Sequence, residues 1–190
     1  MVDDRSADGP VFARANEYIG DRVSRVLSQL DPSQVTRAVE ILARARAIFV
    51  YGAGRSGIIG RAFAMRLVQT GLTAWVIGES VTPIVRAGDA VFILSARGES
   101  YSSIQTANIV RREGATLIVL TARRTSKLAH AATLMLSLEF DEDSHRSSLA
   151  PLGTLFEAAS LRLTDALIAE LMQVRGETEE SMRRRHAIMV

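Results

Sequence analysis

The sequence has no cysteine and a single lysine, and each shortage removes a class of chemistry. Without cysteine there are no disulfides, no thiolate nucleophile and no thiolate metal site. Lys127 is the one lysine among 23 basic residues, so a Schiff base has one candidate and a Walker-type phosphate loop has none beside a glycine-rich turn. The three histidines, His130, His145 and His186, lack the pairwise spacing of a ligand set, and no metal is expected. Long apolar runs are missing too. The apolar stretches are strand-sized, which predicts no membrane span and no membrane partner. The first thirty residues mix acids, arginines and small residues where a secretory signal would be apolar, so a cytoplasmic location is expected by default. Arginines and acids interleave to a net charge of +2, which gives no basic stripe and no nucleic-acid partner.

What is present reads as a globular α/β chain. A hydrophobic share of 47% in 190 residues suffices for one well-buried core. Residues 8–45 read as helical: Val11, Ala15, Ile19, Val23, Val26 and Leu30 recur on one helical face, and "DPSQ" supplies a break with Asp31 or Ser33 as the next cap. The period then changes. Ala47–Tyr51, Ala74–Ile77, Ala90–Leu94, Thr116–Leu120 and Thr133–Leu138 are short continuous apolar runs, as strands buried on both faces require. Helical stretches at Ile58–Gln69, Ser102–Glu113 and Ser126–Ala131 separate several of them, so 46–140 is expected to form a parallel sheet flanked by helices. Further helices are predicted within 152–188, at Leu155–Val174 and Glu177–Ile188. No repeat or linker interrupts the chain, and 1–190 is expected to be a single domain.

Ligands of such sheets sit beyond the carboxyl ends of the strands. There the sequence places "GAGRSG" after the first strand and "SARGESYSS" after "AVFIL". Both turns are rich in glycine and serine and both open helices, whose first N–H groups favour an anion. Two such turns suggest a phosphate-bearing ligand. Gly52, Gly54 and Gly57 also spell the G-x-G-x-x-G of a dinucleotide site, with Glu79 near the position of the expected acid. Against a dinucleotide stand the two helices before the first strand, the absence of room for a substrate domain after the second, and the second serine-rich turn, which that unit does not use.

In order and spacing, "YGAGRSGIIGRAFAMRL" (51–67), "GESVTP" (78–83), the serine turn at 95, "PLGTLFE" (151–157) and "RRHA" (184–187) resemble the SIS (sugar isomerase) domain family, and within it the 6-phospho-3-hexuloisomerase branch. The resemblance implies a flavodoxin-like parallel sheet of five strands with no metal or organic cofactor. It implies a sugar phosphate as partner and a homo-oligomer, tetramer or dimer, with sites at subunit boundaries. The implied reaction interconverts D-arabino-hex-3-ulose 6-phosphate and D-fructose 6-phosphate, a step of the ribulose monophosphate pathway or of its reverse in pentose supply. Where the family reads Ser-Gly-Ser-Gly-x-Thr, this chain has Ser95, Ala96, Arg97, Gly98, Glu99 and Ser100. Ser100 keeps a hydroxyl, whereas Arg97 puts a cation in place of a small hydroxyl. It either adds a charge-assisted contact or crowds the turn. The end, "RHAIMV", also departs from the family's Arg-His-Ala-Asn-Leu-Glu.

The implied chemistry requires one carboxylate over two adjacent carbons, a donor for the enediolate oxygens and a phosphate grip. Spacing alone reads Glu157 as the N3 residue of a capping box begun by Thr154, a structural role; resemblance to the family's Gly-Thr-x-Phe-Glu makes it the catalytic base. Spacing reads His186 as part of a solvated basic helix end; resemblance makes it a second acid/base, in its own or a neighbouring subunit's site. Ser56, Ser95 and Ser100 are the expected phosphate and hydroxyl ligands, with Gly54, Gly57 and Gly98 allowing close backbone approach beside Arg55, Ala96 and Arg97. Simple turn and cap duty is the alternative for the serines. Glu79 lines the pocket mouth or is an exposed loop acid, Arg55 and Arg66 contact sugar oxygens or only pair with nearby acids, the structural role being favoured for Arg66 inside its helix, and Arg183 to Arg185 form a solvated face. His145 reads as a surface loop residue and His130 as packing or capping. Other aldose–ketose isomerisations, such as one of arabinose 5-phosphate, and a non-catalytic sugar-phosphate sensor are the rival readings.

Overall fold

The computed structural model describes residues 9–188. Helices α1 (Val11–Ser28) and α2 (Pro32–Arg44) come first; the expected start of the helical part at residue 8 lies outside the described residues. Their break is built from local chemistry. Asp31 caps α2 by accepting the Ser33 N–H at 2.8 Å, and Pro32 occupies the first helical position, where an N–H has no intrahelical partner.

Strands β1 (Ile48–Gly52), β2 (Ala74–Val76), β3 (Ala90–Leu94), β4 (Thr116–Thr121) and β5 (Leu134–Ser137) follow, with α3 (Arg55–Gln69), α4 (Tyr101–Arg112) and α5 (Lys127–Ala131) among them. They form one parallel sheet in the order β2-β1-β3-β4-β5, the flavodoxin-like order. Alternate residues divide between two cores, as the pleat requires. Val50, Phe92, Leu94, Ile118 and Leu120 pack under α1, α2, α3 and the long α7 (Thr154–Arg175); Phe63 of α3 meets Phe92 edge-on at 5.1 Å between ring centroids. Phe49, Val91, Ile93, Leu117 and Val119 pack under α4 and α5. All five residues of β3 are buried, which explains its unbroken apolar sequence.

Two helices depart from expectation. The polar stretch "DEDSHRSS" leads into a short α6 (Arg146–Leu149), started where the Asp143 carboxylate accepts the N–H groups of His145 and Arg146. The last helix, α8, covers only Glu179–Arg184. No described helix is long and apolar enough to cross a membrane.

Candidate active site

Because β1 and β3 are parallel neighbours, their carboxyl ends lie side by side, at the point where the strand order reverses. The turns after them face one cavity of ≈ 600 Å³, lined by Ser56 from the first turn and by Ser95, Ala96, Arg97 and Ser100 from the second. Arg123, two residues past the end of β4, lines it as well, and so does Glu99 of the second turn, an acid among the cations. Neither Arg97 nor Arg123 forms an ion pair within 4 Å among the described residues, so two guanidinium groups border the cavity. The Glu142 carboxyl is held below its ordinary range by Arg146 first, and the charge of Arg123 is near enough to help. Arg123 escaped the sequence reading because arginine supplies nearly all the positive charge; its position just beyond a strand next to β3 was the usable signal.

The glycines divide their work. Gly52 and Gly57 meet backbone to backbone: a Cβ on Gly57 would lie 2.5 Å from the Gly52 carbonyl oxygen, so both are needed for α3 to leave β1 this tightly. Gly54 caps α3 at φ 58°, and the space beside it is open. Gly98 serves the protein's own packing, since a Cβ there would fall 2.1 Å from the Ser126 Oγ at the start of α5. Ser100 caps α4: its Oγ accepts the Ser103 N–H at 3.3 Å and donates to the Ser103 Oγ at 2.5 Å. The cap and the cavity wall are thus the same residue.

Glu157 stands at the start of α7, beside the first turn. Its side chain is only 13% exposed, and its Oε2 lies 2.6 Å from the Arg55 Nη2. The oxygen is buried and makes no other side-chain or backbone hydrogen bond among the described residues, so Arg55 is its one close partner there. The capping-box reading fails by one residue. Gly153 is the cap and Thr154 is already helical, its hydroxyl donating to the Pro151 carbonyl at 2.7 Å.

Glu157 and Arg55 adjoin the first turn without being among the residues that line the cavity, and Glu79 and His186 lie elsewhere. Glu79 pairs with Arg61 of α3 at 2.8 Å and does not line the cavity. His186 follows α8 and lines a separate hollow with Arg66, Gln69 and Met182, its Nδ1 2.8 Å from the Ala187 carbonyl oxygen. His145 caps α6 through its backbone and His130 contacts the Ser126 carbonyl, both apart from the cavity. Among the described residues no group of three histidines or acids is arranged to hold a metal ion.

Residues 41–167 match a family described as the SIS domain. The 3-hexulose-6-phosphate isomerase of Methylomonas aminofaciens is 31% identical over 173 residues, covering 90% of this chain and 96% of that protein. The crystal structure of a Methanococcus jannaschii protein, from which a molecular function of 3-hexulose-6-phosphate isomerase was inferred, superposes with a TM-score of 0.84 at 25% identity, covering 93% of this chain and 99% of that one. The arabinose 5-phosphate isomerase of Pseudomonas aeruginosa is 28% identical over 165 residues, covering 84% of this chain and 50% of that protein.

Proposed function

The chain belongs to the SIS domain family, and from that premise we propose that it is a phosphosugar isomerase interconverting D-arabino-hex-3-ulose 6-phosphate and D-fructose 6-phosphate. The observation that carries this reading is the shielded Glu157 carboxylate, held by Arg55 against the first of two turns that share a cavity. Moving the carbonyl from C3 to C2 requires a base to take the C2 proton, a 2,3-enediolate to form, and the proton to be delivered to C3. Glu157 has two things that one base serving two carbons needs: little water around it, and a single cation, Arg55, that fixes the position of its carboxylate.

In this reading the phosphate lies in the cavity between the turns. Ser56, Ser95 and the first N–H groups of α3 and α4 supply neutral donors, and Arg97 and Arg123 supply charge. Arg55, 62% exposed at its side chain, directs its remaining N–H groups to the enediolate oxygens while it holds the base. His186 serves a second copy of the chain, within a homo-oligomer.

The test is turnover. Purified protein given fructose 6-phosphate is expected to form the 3-hexulose, and arabinose 5-phosphate is supplied in parallel. Turnover of arabinose 5-phosphate alone would move the substrate to the pentose, and turnover of neither would contradict an isomerase.

A further inference from the structure

The turn that delivers Glu157 contains a strained residue. Leu152 is the one described non-glycine residue with a positive φ, 57°, and the residue is 86% exposed. A leucine so placed gains nothing from burial, so its conformation is kept for the turn that follows. That turn closes on the Pro151 carbonyl, which accepts both the hydroxyl of Thr154 and its N–H, at 2.7 and 3.3 Å. The next residue, Gly153, has φ −89° and ψ 6°, a conformation that residues with side chains adopt. Its backbone does not call for glycine.

The space around it does. A Cβ on residue 153 would lie 2.6 Å from the Glu157 Oε1 and 3.1 Å from its Cδ. The carboxylate folds back over the cap of its own helix, with Gly153 on one side and Arg55 on the other. Both contacts fall on the far end of a flexible side chain. An added methyl group would therefore be accommodated by displacing the carboxylate, with the fold left in place. We propose that Gly153 is a positioning residue for the isomerisation: the missing side chain is the seat that aims the Glu157 carboxylate. The inference rests on Glu157 being the base.

Two variants test it. Gly153→Ala fills the seat and leaves a poorer helix cap, whereas Gly153→Ser fills the seat with one of the best caps, so shared behaviour isolates the seat from the helix. A displacement on the order of 1 Å predicts that kcat falls about a hundredfold in both, with KM for fructose 6-phosphate within about threefold of the wild type. The hydrogen exchanged with solvent on the sugar is expected to slow in step with kcat. A fall of less than about tenfold in either variant, or a loss carried by KM or by failure to fold, would overturn the proposal. Absence of turnover in the wild type is a different result, which defeats the isomerase reading itself.

Discussion

Arg55 and Glu157 occupy the first turns of two helices, and only the carboxylate gains from its helix. The guanidinium at the start of α3 is placed against the dipole, and the 2.6 Å contact with Glu157 offsets that placement. The two arginines of the cavity have no such partner, and this sets their expected role. Arg97→Ser and Arg123→Ser should each raise KM for the sugar phosphate about tenfold and leave kcat within about twofold, because in the proposed site they would hold an anion that does not change during the reaction. Steady-state kinetics at two salt concentrations check this, and an unchanged KM in both variants would place the phosphate elsewhere. At this scale the sequence was partly legible. The serine turns stood out because glycine and serine cluster there. Glu157 was visible only through the resemblance of its neighbours to the family's Gly-Thr-x-Phe-Glu, and its register was off by one residue, because nothing in "PLGT" announces that Leu152 will take the left-handed conformation. Gly153 was hidden for the same reason: its contact is with a side chain four residues on, not with its own turn.

The elements show how α8 is held. Arg185 donates to both carboxylate oxygens of Glu177, at 2.7 and 3.0 Å, and to the Gln69 carbonyl at 3.1 Å, while Met182 is buried beneath. All three arginines of the expected solvated face are exposed; Arg185 is in addition tied to Glu177 and Gln69, and Arg183 and Arg184 each pair with a glutamate one turn earlier. Hydrogen bonds from Arg185 and then Ser181 hold the Glu177 carboxyl at about 2, well below the ordinary 4.5. A depressed carboxylate contributes its full stabilisation above 4.5 and loses it as pH falls from there through about 2. The methyl NMR signal of Met182 should therefore keep its buried shift at mildly acidic pH and leave it as pH approaches 2. In Arg185→Ala it should be displaced at neutral pH. An undisturbed signal in that variant would show that the ion pair does not hold α8. Strands were the most legible elements, since burial on both faces leaves continuous apolar runs. Short polar helices such as α6 were not, because four residues carry no apolar period.

For the molecule as a whole, the parallel order of the sheet settles which ends converge. It brings the β1 and β3 turns to one cavity, a consequence the alternation of strands and helices already implied. The sequence did not reveal how far His186 stands from Glu157. Glu157 meets the N-terminal end of α3 through Arg55, whereas His186 lies near Arg66 and Gln69 at the other end. The 15 residues of α3 separate those ends by roughly 20 Å at ~1.5 Å per residue. A shared site therefore needs two copies of the chain. Co-expressed Glu157→Gln and His186→Asn chains should recover activity that neither variant has alone, and failure to do so would remove His186 from the reaction. The central claim is that the Glu157 carboxylate moves the hydrogen between adjacent carbons of the sugar. It is tested most directly by incubating fructose 6-phosphate in deuterated water and following the C3 hydrogen by NMR. The wild type is expected to exchange it and Glu157→Gln to retain it while still binding the sugar phosphate; exchange at the wild-type rate in Glu157→Gln would contradict the account.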